Sequence, residues 1–438
     1  MYIYIALSLV GSMLTRTDDL PKNTNPRTIF GDSVEPDWDQ QLTITVGPKN
    51  ADLVGTSDRV IQAAVDYIAR QEGGTVHILP GTYILRNSIF LQSKVRLLGS
   101  GTDSVFFKEP SATTKLIIDG DHWDQEVTLA DPKGFQVGDG VRLVSEDPYR
   151  KGANIIQRTL IASLGNRFKL DSRLGERFHL VGDPKIATNF SLLQCTNVSD
   201  VVIENITLDG NKANNEMLDK GMFDDGSIRL DESNRISIRN VIVRNFYCDG
   251  IVWGISHDVL VEDCDLHDGV RLAIHSGSGS QRSIVRGNKV RHCGEGVYFC
   301  WGAQHGLYER NVIEDCSYGM TLGHSDSDNL IRDNDIRRSG EAGIHFRGGN
   351  KAFAPHRNRI EQNRIIDSGG EKGVAIDING ETESVTVIKN ELRETREPLS
   401  RIGILIGSET SDIRCEDNQI DGFAIPIKNL EKPVYHQS

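Results

Sequence analysis

VRGNKV (285–290), YERNVI (308–313) and IRDNDI (331–336) write one pattern three times: apolar, two further residues, asparagine, any residue, apolar. IEQNRI (360–365) and VIKNEL (387–392) continue it, placing the asparagines at 288, 311, 334, 363 and 390, from 23 to 29 residues apart. Asn418 in CEDNQI extends the series. Cys264 and Val241 take the slot upstream, and Asn205 in VIENIT reads as an earlier member. After each slot comes a glycine or alanine with a short strand: GIVW (250–253), AIHS (273–276), GVYF (296–299), GMTL (319–322), GIHF (343–346) and GVAI (373–376). Two or three short strands cannot bury their apolar face alone. Successive turns stacked at about 4.8 Å can, as a parallel β-solenoid. Side-chain amides then bond one another up the stack, which gives the asparagine slot a physical reason. Leucine-rich repeats have a similar period, but their leucine consensus is absent.

The N-terminal part agrees. TSDRVIQAAVDYIARQEGGTVHILPGTYIL (56–85) predicts one amphipathic helix with Val60, Ile61, Ala64, Val65 and Ile68 on one face, then a strand and a Pro-Gly turn. Such a helix covers the open end of a solenoid. This helix, the following GGTVHILPGTY and IFLQSKVRLLGSG (89–101) resemble the cap and first rungs of the right-handed parallel β-helix superfamily. That superfamily includes pectate-lyase-like, rhamnogalacturonase-like and polygalacturonase proteins and many phage tailspikes. The resemblance implies an all-β right-handed parallel β-helix with an N-terminal capping α-helix. The period breaks over 106–188, where FQVGDGVRLV and RTLIASLGNRFKLDSRL predict a β-rich insertion. The expected organisation is therefore 1–22 signal peptide, 23–55 arm, 56–105 cap helix and first rungs, 106–188 insertion, 189–430 repeats and 431–438 tail.

The net charge of −13 excludes a counterion-release nucleic-acid binder and disfavours anionic membranes. YIYIALSLVGSML (2–14) is too short to span a bilayer and resembles the apolar region of a secretory signal, although no Lys or Arg precedes it. The expectation is a secreted or periplasmic protein. Seven cysteines without a C-x-x-C pair argue against both a disulfide framework and structural zinc.

With the residue after each glycine inward, the next one points outward. That column reads Arg229, Val252, His275, Tyr298, Thr321, His345 and Ala375 up the stack; the next outward column reads Asp231, Gly254, Gly277, Cys300, Gly323, Arg347 and Asp377. A single outward histidine is ordinarily solvated surface. His275, Tyr298 and His345 in one column, beside a trough of glycines, form a candidate groove wall for a polysaccharide or oligosaccharide. Asp224, Asp225 and Asp249 precede their strands. Arg229, Arg271, His324, Arg347, Asp377 and Trp301 are candidate substrate contacts.

Two chemistries and a non-catalytic role fit these residues. Glycoside hydrolysis takes two carboxyls, and Asp224 or Asp225 with Asp249 lie on neighbouring rungs. FDDG and YCDG followed by AIHSGSG resemble the polygalacturonase site, with rung order exchanged and neither N-T-D nor G-H-G intact. The slightly favoured expectation is thus a hydrolase that cleaves a polysaccharide with an aspartate pair and no cofactor. The alternative is a lyase or C5-epimerase on a uronic-acid polymer, with His275, His345 and Tyr298 moving protons and an arginine neutralising the carboxylate. The superfamily resemblance implies calcium for such a lyase, held by Asp224, Asp225 and Asp249. The third possibility is a glycan-binding or surface solenoid without activity.

Overall fold

A computed structural model describes residues 35–430, apart from 148, 150, 216, 217, 219–225, 372, 398 and 399. Asp224, Asp225, the signal-like segment and the tail lie outside the described residues. The chain winds into three long parallel sheets of 13, 11 and 11 strands, with a separate six-stranded antiparallel sheet over the insertion. Each turn contributes one short strand to each long sheet. The apolar side chains of all three point into one continuous core from Val46 to Ile406.

The asparagine slot performs as expected. Asn288 Nδ2 donates to Asn311 Oδ1 at 2.9 Å, and the chain of amides continues through Asn334, Asn363 and Asn390 to Asn418. Each Nδ2 also donates to a backbone carbonyl, as Asn311 does to Val285 at 3.0 Å. The amides from Asn288 to Asn390 are buried, and a buried amide must find partners. Asn205 does not join them. Thr207 pairs with Ile242, which puts Ile206 in the slot opposite Val241; Asn205 sits one residue earlier at φ 57°, a turn conformation asparagine tolerates.

The helix Asp58–Arg70 buries Ile61, Ala64, Val65 and Ile68 over the first rungs, with Val60 partly buried beside them. The insertion has its own core around Leu143, Leu160, Phe168 and Phe178. Arg86, between the first rungs, donates to both oxygens of buried Asp139 at 2.7 and 2.8 Å, which ties the insertion to the solenoid. Among the described residues, no helix is long and apolar enough to cross a membrane.

Candidate functional site

The sheet that carries the candidate residues runs from Ile89–Leu91 to Ile425–Asn429. Its register aligns Ile228, Ile251, Ile274, Val297, Met320, Ile344, Ile376 and Ile404 as inward neighbours. The outward column beside them is Arg229, Val252, His275, Tyr298, Thr321, His345 and Asp377. Asp377, not Ala375, therefore follows His345, and it stands in the same column rather than next to Arg347. The reason is steric. Ala375 occupies the small-residue slot held by Gly343 one rung below, where a Cβ would already approach the Ala375 carbonyl at 2.8 Å. An alanine fills that slot in the next rung, and the glycine of GVAI lies two residues too early to mark it.

The residue before the small slot also faces outward, toward the column residue of the next rung. Asp249 reaches His275 this way, with Oδ2 2.7 Å from Nδ1. Leu272 packs on Tyr298. The Glu295 carboxyl lies beside Thr321, and the ring of Tyr318 lies 5.2 Å from that of His345 at 31°. His345 in turn has Nδ1 3.0 Å from Asp377 Oδ2. The strip thus holds two imidazole–carboxylate pairs, three rungs or about 14 Å apart. One pair is buried (side chains 5% and 1% exposed) and one is half-open at 21% and 17%.

The His275 and Tyr298 rings meet edge to face, with centroids 5.2 Å apart. The Arg347 guanidinium lies 4.2 Å over the Tyr298 ring. Its Nη2 donates to the Phe299 carbonyl at 2.6 Å, and Asp326 Oδ2 is 3.6 Å away. Gly323 makes this possible, since a Cβ there would stand 2.5 Å from Arg347 Nε. Asp326 is wholly buried and accepts backbone N–H groups of Gly302, Ala303 and Gly323 at 2.8 to 3.0 Å. Burial pushes its carboxyl up to about 7. Burial also raises the carboxyls of Asp249 and Glu295, and holds the Tyr298 phenol well above its ordinary value despite nearby Arg347. Tyr298 therefore keeps its proton at neutral pH.

Beside this wall lies a trough of about 220 Å³ lined by Arg229, Asp231, Glu232, Gly254, His275, Gly277 and Ser278 among others. His275 Nε2 stands over Gly277, 3.2 Å from where a Cβ would be. Arg229 Nε donates to Asp231 Oδ2 at 2.6 Å at its edge. Arg271 lies near Asp249, whose carboxylate form it favours. Trp301, 57% exposed, has its ring 5.0 Å from His324; burial, then Arg347, lowers the His324 imidazole. Both sit past the strip, one column beyond Cys300.

Of the expected aspartate pair, only Asp249 is among the described residues. Gly226 pairs with Asp249 in the register. Of the three aspartates expected to hold calcium, Asp249 alone is described. One Asp249 oxygen is committed to His275 in a buried position, and among the described residues no three His, Cys, Asp or Glu side chains cluster to hold an ion. Glu295, Tyr318 and Asp326 were not foreseen as site residues. Glu295 in GEGVYF and Tyr318 in SYGMTL occupy the slot that singled out Asp249, so reading that slot two and three rungs further would have found them.

A sequence family described as a right-handed β-helix region matches residues 191–353 and, overlapping, 226–392. No curated protein matches the sequence. Among solved structures, the chain resembles a hyperthermoactive exopolygalacturonase from Thermotoga maritima at 12% identity and TM-score 0.50, covering 83% of this chain and 88% of that one. It resembles the Streptococcus pneumoniae surface protein and adhesin PfbA at 13% and 0.52, covering 85% and 95%. The catalytic domain of an α-1,3-glucanase in complex with nigerose aligns at 9% and 0.52, covering 92% and 70%. At these identities the likeness is one of fold. The chain is a right-handed parallel β-helix protein.

Proposed function

We propose that the strip is the active site of an extracytoplasmic enzyme acting on a uronic-acid-containing polysaccharide by proton transfer at C5, leading to β-elimination or epimerisation. The observation that carries this reading is the buried Asp249–His275 pair set edge-on to Tyr298 beneath Arg347. Asp249 accepts the Nδ1 proton, which leaves Nε2 as the basic nitrogen at the trough wall. His275 then takes the C5 proton of a uronate lying in the trough. Tyr298, which keeps its proton, donates it to the leaving oxygen in elimination, or to the opposite face of C5 in epimerisation. Arg347 supplies positive charge where the carboxylate becomes an enediolate. No step requires a metal.

Asp249 fits an orienting part better than that of a glycosidase carboxyl, because it is 1% exposed and already bonded to an imidazole. Hydrolysis is favoured by a different group, Glu295, whose carboxyl is raised by burial as a proton donor's must be. Incubation with a panel of uronate polymers separates the two. Elimination gives an ultraviolet-absorbing unsaturated uronate, and epimerisation exchanges H5 with solvent. Hydrolysis gives reducing ends with neither. Product from a His275→Ala variant at the wild-type rate would sink the proton-transfer reading.

A further inference from the structure

The turn that leaves the strip carries a tryptophan where the backbone least favours one. After successive strands the chain turns at a residue of left-handed φ: Glu232 at 49°, Ile255 at 48°, Ser278 at 42°, Trp301 at 55° and His324 at 47°. Such positions favour glycine or asparagine, and elsewhere in the stack Asn205, Asn240 and Asn245 hold them. Trp301 is also 57% exposed, so its ring adds little to the core, and strain of this kind persists where a function uses it. The ring is braced from the C-terminal side of the stack. His324 on the next turn lies 5.0 Å away at 31°, and Phe353 meets it edge-on at 6.0 Å and 88°. Phe353 comes from a loop over 348–357 that lengthens its rung, with 29 residues from Asn334 to Asn363 against 23 from Asn311 to Asn334. Ser325 pins that loop, its N–H donating to the Phe353 carbonyl at 2.8 Å and its hydroxyl to the Ala352 carbonyl at 2.6 Å. Burial, then Arg347, lowers the His324 imidazole, so it packs on the indole uncharged at neutral pH. A ring held in place loses little freedom when a ligand arrives.

On the N-terminal side, the turn one rung back carries the small residues Ser278 and Gly279, whose N–H groups donate to the Cys300 and Trp301 carbonyls at 2.7 Å. Ser278 lines the trough, with Glu232 two rungs further on. The indole is thus open toward the turn end of the trough. It follows Tyr298 by three residues, about 10 Å of extended chain, and stands one rung from the turn that follows His275. A pyranose ring has C–H groups on its face and hydroxyls around its edge. The indole matches the face, and the Ser278 hydroxyl and Glu232 carboxylate at the rim match the edge. We infer that Trp301 is the stacking platform of a glycan subsite, which takes a sugar residue of the polymer beyond the uronate at His275, with His324 and Phe353 as its positioning residues. This rests on the trough as the place where the polymer lies, and it gives the protein a preference for chains over short fragments.

The test is calorimetric binding of galacturonate and alginate oligomers, from disaccharides upward, and of neutral oligosaccharides to the full chain. Every protein carries His275→Ala in this measurement, so that nothing is consumed. Trp301 is kept or replaced as Trp301→Asn or Trp301→Phe, and Trp123→Ala, at an exposed tryptophan of the insertion, is the control. Asparagine suits the left-handed turn, so Trp301→Asn should melt no lower than its parent while binding the longer oligomers on the order of tenfold or more weakly. Trp301→Phe should keep part of the affinity, and the control and all disaccharide binding should be unchanged. Equal affinity for long oligomers with and without Trp301 would overturn the assignment, as would no binding across the panel, or a loss as large for disaccharides as for longer chains. So would weaker binding explained wholly by a lower melting temperature. Activity is followed separately with His275 intact. Oligomers that bind through Trp301 but stay unaltered would sink proton transfer and spare the subsite, and turnover of long chains indifferent to Trp301 would do the reverse.

Discussion

Replacing Asp249 by asparagine separates an orienting carboxylate from a structural one. The substitution keeps size and an acceptor oxygen but removes the charge behind His275. With Oδ2 2.7 Å from Nδ1 and an effective dielectric of about 20, a carboxylate attracts an imidazolium by about 6 kcal/mol. An amide dipole retains part of this. If about half is lost from the transition state, kcat falls about 150-fold. The stability effect has the opposite sign. Burial raises the Asp249 carboxyl, so the folded protein holds this proton more tightly than the unfolded chain, where aspartate titrates near about 3.9. The charged form costs stability, and the cost grows as pH rises from there through the folded value. Asp249→Asn should therefore melt at the wild-type temperature or above it near neutral pH, with that advantage vanishing in acid. Initial rates on a uronate polymer, together with calorimetric melting across pH, measure both. A variant of near wild-type kcat, or one that melts far lower at neutral pH yet stays fully active per folded molecule, would refute the reasoning.

Two further outcomes follow from the same geometry. Gly277→Ala places a methyl group 3.1 Å from the Trp253 carbonyl and 3.2 Å from His275 Nε2, so kcat/KM should drop about ten- to a hundredfold with melting little changed; unaltered kinetics would remove the trough from the site. Asn311→Ala deletes four buried hydrogen bonds, to Asn288 N and Nδ2, the Val285 carbonyl and Asn334, and should cost about 3 kcal/mol or more in urea unfolding. A loss below about 1 kcal/mol would mean the ladder is not what holds the turns.

Much of this architecture is legible in the residues because a solenoid repeats its constraints. A buried amide at a fixed slot must be answered by another one turn away, so the asparagines show both period and stacking. Asn205 misled because asparagine also suits left-handed turns, and only pairing distinguishes the two uses. Ala375 misled because the slot demands a small residue rather than glycine itself. The column of His275, Tyr298 and His345 emerged from alternation alone. The diagonal contacts, Asp249 to His275 and Tyr318 to His345, did not, because they depend on a strand start that brings the residue before the small slot onto the outer face. Asp326 was hidden for another reason. SDSDN (325–329) offers two aspartates, and only the turn's path decides which one the backbone N–H groups surround.

The central claim is proton transfer at C5 by His275 and Tyr298, and solvent isotope exchange reports on it directly. Wild-type protein, His275→Ala and Tyr298→Phe would each be incubated with uronate polymers in deuterium oxide, and the product followed by proton NMR. Wild type should give either H5 replaced by deuterium or an unsaturated uronate end. Both variants should fall by about 10²-fold or more while remaining folded. New reducing ends without deuterium at C5 and without unsaturation, formed equally by all three proteins, would contradict it.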